Sequence, residues 1–269
     1  NNVLSNHKKR TTKDLKEDLL KDFHNFRGNA ARQDDITFIV FKYSPDITKT
    51  KTPEQEKKDA IEDKIRWALK NEKPIQIRTN RYLTEDRDFI DSILDRFLNE
   101  AGIKFLMNKL SYCLHELATN AKKANTKRAY FKSKDLDINN SEDYEIGMQD
   151  FKMATIGKIE HYLNLQKKMG LFIVIMFQLT KKDLRISVVN NSEMTKNEKE
   201  KVQHKLDIAS QKDSIGEVYD QIEDYSEGAG LGIVMMSQML RTMGFENDVL
   251  SITSNQGLTN ATLLINLRE

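Results

Sequence analysis

Residues 110–125, LSYCLHELATNAKKAN, constrain the fold more than any other stretch. Leu110, Leu114, Leu117, Ala121 and Ala124 recur at helical spacing and form one apolar stripe, which demands a surface to pack against. Glu116, Asn120 and Lys123 fall together on a different face of the same helix. A carboxylate, an amide and an ammonium group on successive turns can polarise a water or hydroxyl, hold Mg²⁺ through the amide oxygen and meet a phosphate. Charged residues at this spacing also decorate ordinary solvated helices, so a chemical face and a solvated face are both open readings.

A second stretch bears on that choice. Residues 224–240 read DYSEGAGLGIVMMSQML, with Gly228, Gly230 and Gly232 alternating just before an apolar helical run. Glycines there let a phosphate approach backbone N–H groups closely, and the following helix turns its positive end toward the anion. The Glu-x-x-x-Asn-Ala helix followed later by Gly-x-Gly-x-Gly and a helix resembles the N box and glycine box of the GHKL ATPases. That superfamily holds histidine kinases, anti-sigma kinases, gyrase and MutL. The resemblance runs over residues 82–269 and implies an α/β (α+β) fold of the Bergerat type. Such a fold is a two-layer sandwich, a mixed β-sheet with helices on one face, here carrying a long insertion and a helical lid. It implies ATP and Mg²⁺ as cofactors, with ATP between Glu116, Asn120, Asn190 and the turn of Gly228, Gly230, Leu231 and Gly232. By the same resemblance Asn120 would ligate Mg²⁺ and Lys123 would neutralise phosphate charge. Glu116 would orient or deprotonate the attacking hydroxyl, or polarise a water.

The sequence VVNNSEM, residues 188–194, stands where GHKL proteins place Asp-x-Gly-x-Gly, whose aspartate accepts a hydrogen bond from the adenine amino group. Asn190 or Asn191 must substitute. An amide oxygen still accepts that bond, at a loss of charge assistance worth about 1 kcal/mol. Thr262 matches the threonine that supports the family's acidic residue, and would fix an asparagine amide instead. The alternative is that the two asparagines simply end a strand.

Composition narrows the class. With 43 Lys and Arg against 41 Asp and Glu, the net charge of +2 implies no broad polyanion-binding surface, which argues against nucleic acid as the main partner. The single cysteine, Cys113, cannot form an internal disulfide and sits on the apolar side of the key helix, fitting a buried thiol in a reducing, cytoplasmic setting. No apolar run reaches membrane-spanning length; residues 171–179 are strand-sized. The chain begins with Asn1 rather than Met, so an upstream segment is expected.

Along the chain, residues 11–25 predict a charged helix, Gly28 a turn, and residues 34–44 a buried strand. Residues 23–43 resemble the C-terminal end of SpoIIE-type metal-dependent serine/threonine phosphatases, which implies a metal-ligand role for Asp34 or Asp35. Adjacent carboxylates also open strands and turns without binding metal. Residues 1–48 are then the end of a phosphatase-like domain, 49–81 a linker helix and strand, and 82–269 the ATPase-like domain. Thr52, Pro53 and Gln55 signal a helix over residues 53–70 with an apolar stripe of Ile61, Ile65, Ala68 and Leu69, anchored by Trp67. Residues 75–79 predict a strand. A helix follows Thr84, with Phe89, Ile93, Leu94 and Phe97 toward the core and Gly102 as its stop, and the key helix starts near Ile103. Residues 127–131 predict a strand. Residues 135–170 form the insertion, helical over 148–168, where His161 reads as a surface side chain rather than a phosphoacceptor. His115 adjoins Glu116 and is placed within the ATP site. Residues 171–180 and 184–191 form a hairpin, and so do 249–255 and 261–267. The lid, 192–227, carries two capping boxes, Thr195 with Glu198 and Ser214 with Glu217, and so two helices.

Three functions follow from the resemblance. A kinase of the anti-sigma type would phosphorylate serine or threonine on a partner, working with the phosphatase module. The catalytic half of a histidine kinase would need an acceptor histidine elsewhere. A non-catalytic nucleotide sensor would only shift the lid. A regulatory protein substrate, of the anti-sigma antagonist or response-regulator type, is the expected partner, and a second copy of the chain is a candidate one. Gyrase-like and MutL-like ATPases are less favoured, since no transducer domain follows.

Overall fold

The computed structural model describes residues 11–28, 53–211, 231–245 and 247–267, in two units, Asn1–Lys57 and Lys58–Glu269. In the first unit the helix α1, Thr12–Arg27, is started by a capping box. Asp14 N donates to Thr11 Oγ1 (3.2 Å) and Thr11 N donates to Asp14 Oδ2 (3.1 Å), and Gly28 ends the helix with φ at 56°. Asp34, Asp35 and the strand expected over 34–44 lie outside the described residues.

The second unit is built on five strands, β1 (Ile75–Thr79), β2 (Ile173–Leu179), β3 (Asp183–Asn190), β4 (Leu250–Asn255) and β5 (Leu258–Asn266). Their order is β1-β2-β3-β5-β4 and, among the described residues, all four pairings are antiparallel, which corrects the expected mixed sheet. Tight turns join β2 to β3 and β4 to β5, the latter through Gln256 and Gly257 with φ of 49° and 77°, and such short connections permit only antiparallel neighbours.

Among the described residues the helices that follow α1 are α2 (Pro53–Lys70), α3 (Thr84–Glu100), α4 (Met107–Ser133), α5 (Ser141–Ile156), α6 (Ile159–Lys168), α7 (Lys196–Gln211) and α8 (Gly232–Thr242). Ile173, Ile175, Phe177, Ile186, Val188, Leu263 and Ile265 turn one face of the sheet toward Ile93, Leu94 and Phe97 of α3, Leu110 and Leu114 of α4, and Met236 and Leu240 of α8. Phe97 and Phe177 bring their ring centroids to 5.6 Å. Of α2, Ile65 and Ala68 are buried as the stripe requires, but Trp67 is 59% exposed and anchors nothing. Two residues from Ile65 is about 200° around the helix, the opposite face. Phe89 is likewise 40% exposed because Ile90, Ile93, Leu94 and Phe97 already fill the inward positions of α3.

The strand expected over 127–131 is instead the last part of α4, which follows a 3₁₀ turn at Lys104–Leu106. Tyr130 and Phe131 are aromatic and strand-prone, but they pack with Phe151 of α5 and Tyr162 of α6 in a separate apolar cluster, and tertiary contact overrides propensity. The insertion holds two helices rather than one, broken at Gly157 and Lys158, with Asn140 Oδ1 capping α5 through Glu142 N (2.9 Å) and Asp143 N (3.1 Å). A Cβ at Gly147 would meet the Phe131 ring at 2.6 Å, so glycine lets α5 sit this close to α4.

Replacing Phe97 by Ala is expected to cost about 3–5 kcal/mol, whereas Trp67→Ala stays within about 0.5 kcal/mol of wild type. Urea unfolding of both variants checks the assignment of the two faces.

Candidate functional site

Where α4 passes the ends of β3 and β5, a cavity of about 190 Å³ opens between α4, α7, the start of α8 and the sheet. Glu116, Asn120 and Lys123 line it from α4, Asn190 from the end of β3 and Gly232 from the first residue of α8. Five of the expected site residues, spread over more than a hundred positions, therefore share one cavity. The polar face of α4 is turned into a pocket and is not merely solvated. Leu117, Ala121, Val188, Ile252 and Ala261 supply apolar walls.

Other expected residues fall elsewhere. Gly228 and Gly230 lie outside the described residues. Leu231 packs beside Ile208, Ala209 and Val234 under α7 and is not part of the lining. Asn191 acts as a clamp on the hairpin: its Oδ1 accepts from Phe172 N (2.6 Å) and its Nδ2 donates to Gly170 O (2.9 Å). Thr262 contacts neither asparagine. Alternation along β5 turns Ala261, Leu263 and Ile265 to the core and Thr262 to the opposite face, where its Oγ1 lies 2.9 Å from Ser187 Oγ. The residue paired with Asn190 is Thr259, which lines the cavity and donates from Oγ1 to Ser192 O (2.7 Å). Counting back by twos from Ile265 would have chosen Thr259.

His115 faces away from the cavity, toward α3. Its Nδ1 meets Tyr82 Oη and its Nε2 lies 2.9 Å from Asp91 Oδ1, while Ser111 Oγ donates to the same carboxylate oxygen (2.7 Å). Burial pushes the Tyr82 phenol up to about 12 and the Cys113 thiol up to about 12, so both stay protonated at neutral pH. His161 is exposed on α6.

The expected capping box at the start of α7 is present: Glu198 N donates to Thr195 Oγ1 (3.2 Å) and Thr195 N to Glu198 Oε2 (3.0 Å). Its acidic member has a second task. Glu198 Oε1 accepts from Lys127 Nζ (3.1 Å) and Arg128 Nη1 (2.9 Å), Oε2 meets Arg128 Nη2, and Arg128 Nη2 also donates to Glu193 O (2.8 Å). This network fastens α7 to α4 at the cavity's edge. Burial alone would raise the Glu198 carboxyl. The Arg128 hydrogen bond and charge, the Lys127 charge and the Thr195 N–H outweigh it and hold the carboxyl down at about 2.

Lys127, Lys201 and Lys205 join Lys123 in the lining, so four lysines face two glutamates and the cavity is net positive. Lys127 is buried in the stretch read as a strand, and Lys201 and Lys205 are one turn apart on α7 among many surface-type lysines. Lysines at such spacing on a charged helix carry no sequence signal that separates a lining residue from a solvated one. A Cβ added to Gly232 would run into the Glu116 carboxylate, so the start of α8 approaches α4 as closely as a glycine permits.

No family model matches the chain, and no solved structure matches it. Over 204 residues it is 39% identical to a protein of Treponema pallidum (strain Nichols) described as an uncharacterized protein. The match takes in 76% of this chain and 40% of that protein's length.

The depressed Glu198 carboxyl gives a pH prediction. The stability it contributes is complete above its ordinary value of 4.5 and is lost as pH falls from there toward about 2. Melting temperature followed through that window should fall more steeply for wild type than for Glu198→Gln, which has no carboxyl to titrate. Parallel acid limbs would remove Glu198 from the acid response.

Proposed function

We propose that residues 82–269 are an ATP-binding signalling module of the GHKL type, with the Bergerat arrangement of helices and sheet, that transfers the ATP γ-phosphate to a serine or threonine of a regulatory protein. The observation that supports this most is the convergence of Glu116, Asn120, Lys123, Asn190 and Gly232 on one cavity. The donor set fits a nucleotide. Apolar walls offer flat contact to a base, Lys123, Lys201 and Lys205 bring positive charge toward a polyphosphate, and the start of α8 supplies N–H groups and a positive helix end.

Mg²⁺ fits in one way. Among the described residues no group of three or more His, Cys, Asp or Glu could hold a metal. Asn120 would therefore contribute its amide oxygen while phosphate oxygens and water supply the remaining ligands, a common arrangement for Mg²⁺. Bound MgATP supplies the electrophilic phosphoryl group. Glu116 would accept the proton of the incoming hydroxyl, and Lys123 would balance charge on the phosphates. Their fixed places on α4 would keep that geometry, since phosphoryl transfer depends mainly on positioning and charge neutralisation.

The partner in this reading is of the anti-sigma antagonist or response-regulator type, in the cytoplasm. A phosphatase module bearing Asp34 or Asp35 as a metal ligand would reverse the transfer. Among the described residues no helix is long and apolar enough to cross a membrane. A nucleotide sensor without transfer is the second reading, favoured by the Arg128–Glu198 tie beside the cavity, through which an occupant would bear on α7.

Calorimetric titration with ATP and ADP, with and without Mg²⁺, tests the proposal. Asn120→Ala should abolish Mg²⁺-dependent binding with circular dichroism unchanged; binding that survives intact removes Asn120 from the metal. Glu116→Gln should keep nucleotide binding and lose about 10²- to 10⁴-fold in turnover, the range of a general base. Turnover unaffected by Glu116→Gln would support another base, and binding with no turnover in wild type would support the sensor. Gly232→Ala, which displaces the Glu116 carboxylate, should reproduce the turnover loss.

A further inference from the structure

We infer that Asn125 is a positioning residue that fixes the Asn190 amide with its oxygen toward the cavity, so that the site selects a ligand donating a hydrogen bond there. This rests on the nucleotide reading above and adds to it a specificity device. An amide's oxygen and nitrogen are nearly interchangeable in shape, so its orientation has to be deduced from its neighbours.

Here the neighbours decide it. Asn125 and Asn190 are both buried, at 1% and 3% exposure. Asn125 Nδ2 donates to the carbonyl of Phe172 (3.1 Å). A carbonyl only accepts, so the nitrogen of Asn125 must face Phe172 and its oxygen must face the other way. That oxygen receives Ser192 Oγ–H (3.1 Å) and Asn190 Nδ2 (3.3 Å). Asn125 Oδ1 can only accept, so the Asn190 atom facing it is the nitrogen; Ser192 Oγ, 2.6 Å from that nitrogen, then accepts from it and gives its one hydrogen to Asn125. Ser192 O is a third acceptor, 3.4 Å from the same nitrogen, and Thr259 Oγ1 holds that carbonyl in place (2.7 Å).

Every group on this side of Asn190 is thus an acceptor. Its nitrogen is consumed there, and Oδ1 is the end left for the cavity that Asn190 lines. A purine with an exocyclic amino group satisfies that oxygen. A purine with an oxo group in the same place sets acceptor against acceptor.

The relay also explains a neutral amide at this position. A carboxylate at 190 would put a second set of acceptor oxygens against Asn125 Oδ1 and Ser192 O. Asn125 could turn to meet it only by pointing its own oxygen at the Phe172 carbonyl. With Asn125 in place, aspartate is therefore the wrong residue at 190.

The test uses the full chain with MgATP and MgGTP in calorimetric titrations, each variant first checked by circular dichroism. Wild type should prefer ATP. Asn190→Asp should weaken ATP binding by about tenfold or more, as a buried charge facing acceptors requires. Asn125→Ala frees the Asn190 amide to turn, and should bring the ATP and GTP affinities together. Asn125→Ala combined with Asn190→Asp should bind ATP more tightly than Asn190→Asp alone, a rescue that a merely structural Asn125 would not give. If Asn125→Ala does not fold, Asn190→Asp alone decides. ATP affinity unchanged in Asn190→Asp, or an intact ATP preference in folded Asn125→Ala, overturns the inference and leaves the nucleotide reading standing. A wild-type chain that binds neither nucleotide overturns both.

Discussion

The burial of the apolar stripe of α4 against β2 and β3 is the contact on which the rest of the second unit depends. Leu110, Leu114 and Leu117 share one core with Ile173, Ile175 and Val188, and this fixes the rotation of a helix 27 residues long. Once that rotation is set, every other face of α4 has a fixed direction. Cys113 is enclosed in the same core, His115 is turned to α3, and Glu116, Asn120 and Lys123 are turned to the cavity. The C-terminal turns carry Tyr130 and Phe131 to α5 and α6. One helix therefore serves as core, as site and as the mount for the insertion.

Electrostatics then places α7. A helix as rich in lysine and glutamate as this has little apolar surface with which to dock. The buried pairing of Glu198 with Arg128 and Lys127 adds specificity to an apolar contact in which Leu206 packs on the main core and Ile208 and Ala209 pack on Val234 of α8. A buried ion pair adds little net stability against the cost of desolvating its members, but it strongly disfavours every arrangement that leaves one of them alone. The consequence is positional: Lys201 and Lys205 are brought over the cavity and make it cationic.

At the opposite wall the chemistry is neutral and directional. Asn125, Asn190, Ser192 and Thr259 form a chain of hydrogen bonds whose sense is set by a backbone carbonyl. The cavity thus has a cationic side and a side defined by hydrogen-bond orientation.

Periodicity was legible because it is local: the stripe of α4, the capping box at Thr195, the strand at Ile75–Thr79 and both hairpins follow from residues within one or two turns of each other. So was the shared face of Glu116, Asn120 and Lys123, since the helix alone sets their angles. Errors arose where residues competed for the inward positions of one element, where a strand's start was misplaced, and where a neighbour distant in sequence decided. Phe89 and Trp67 lost their places to residues one or two positions away, Tyr130 and Phe131 stayed helical because α5 and α6 cover them, and Thr262 was excluded by the alternation of a strand whose start was misplaced. The sequence by itself determined the period of each element and the shared face of Glu116, Asn120 and Lys123. Only the tertiary structure decided that Asn190 and Gly232 would meet Glu116, that Lys127, Lys201 and Lys205 would join them, and which way the Asn190 amide points. Those outcomes depend on contacts between segments tens of residues apart, and no local period encodes them.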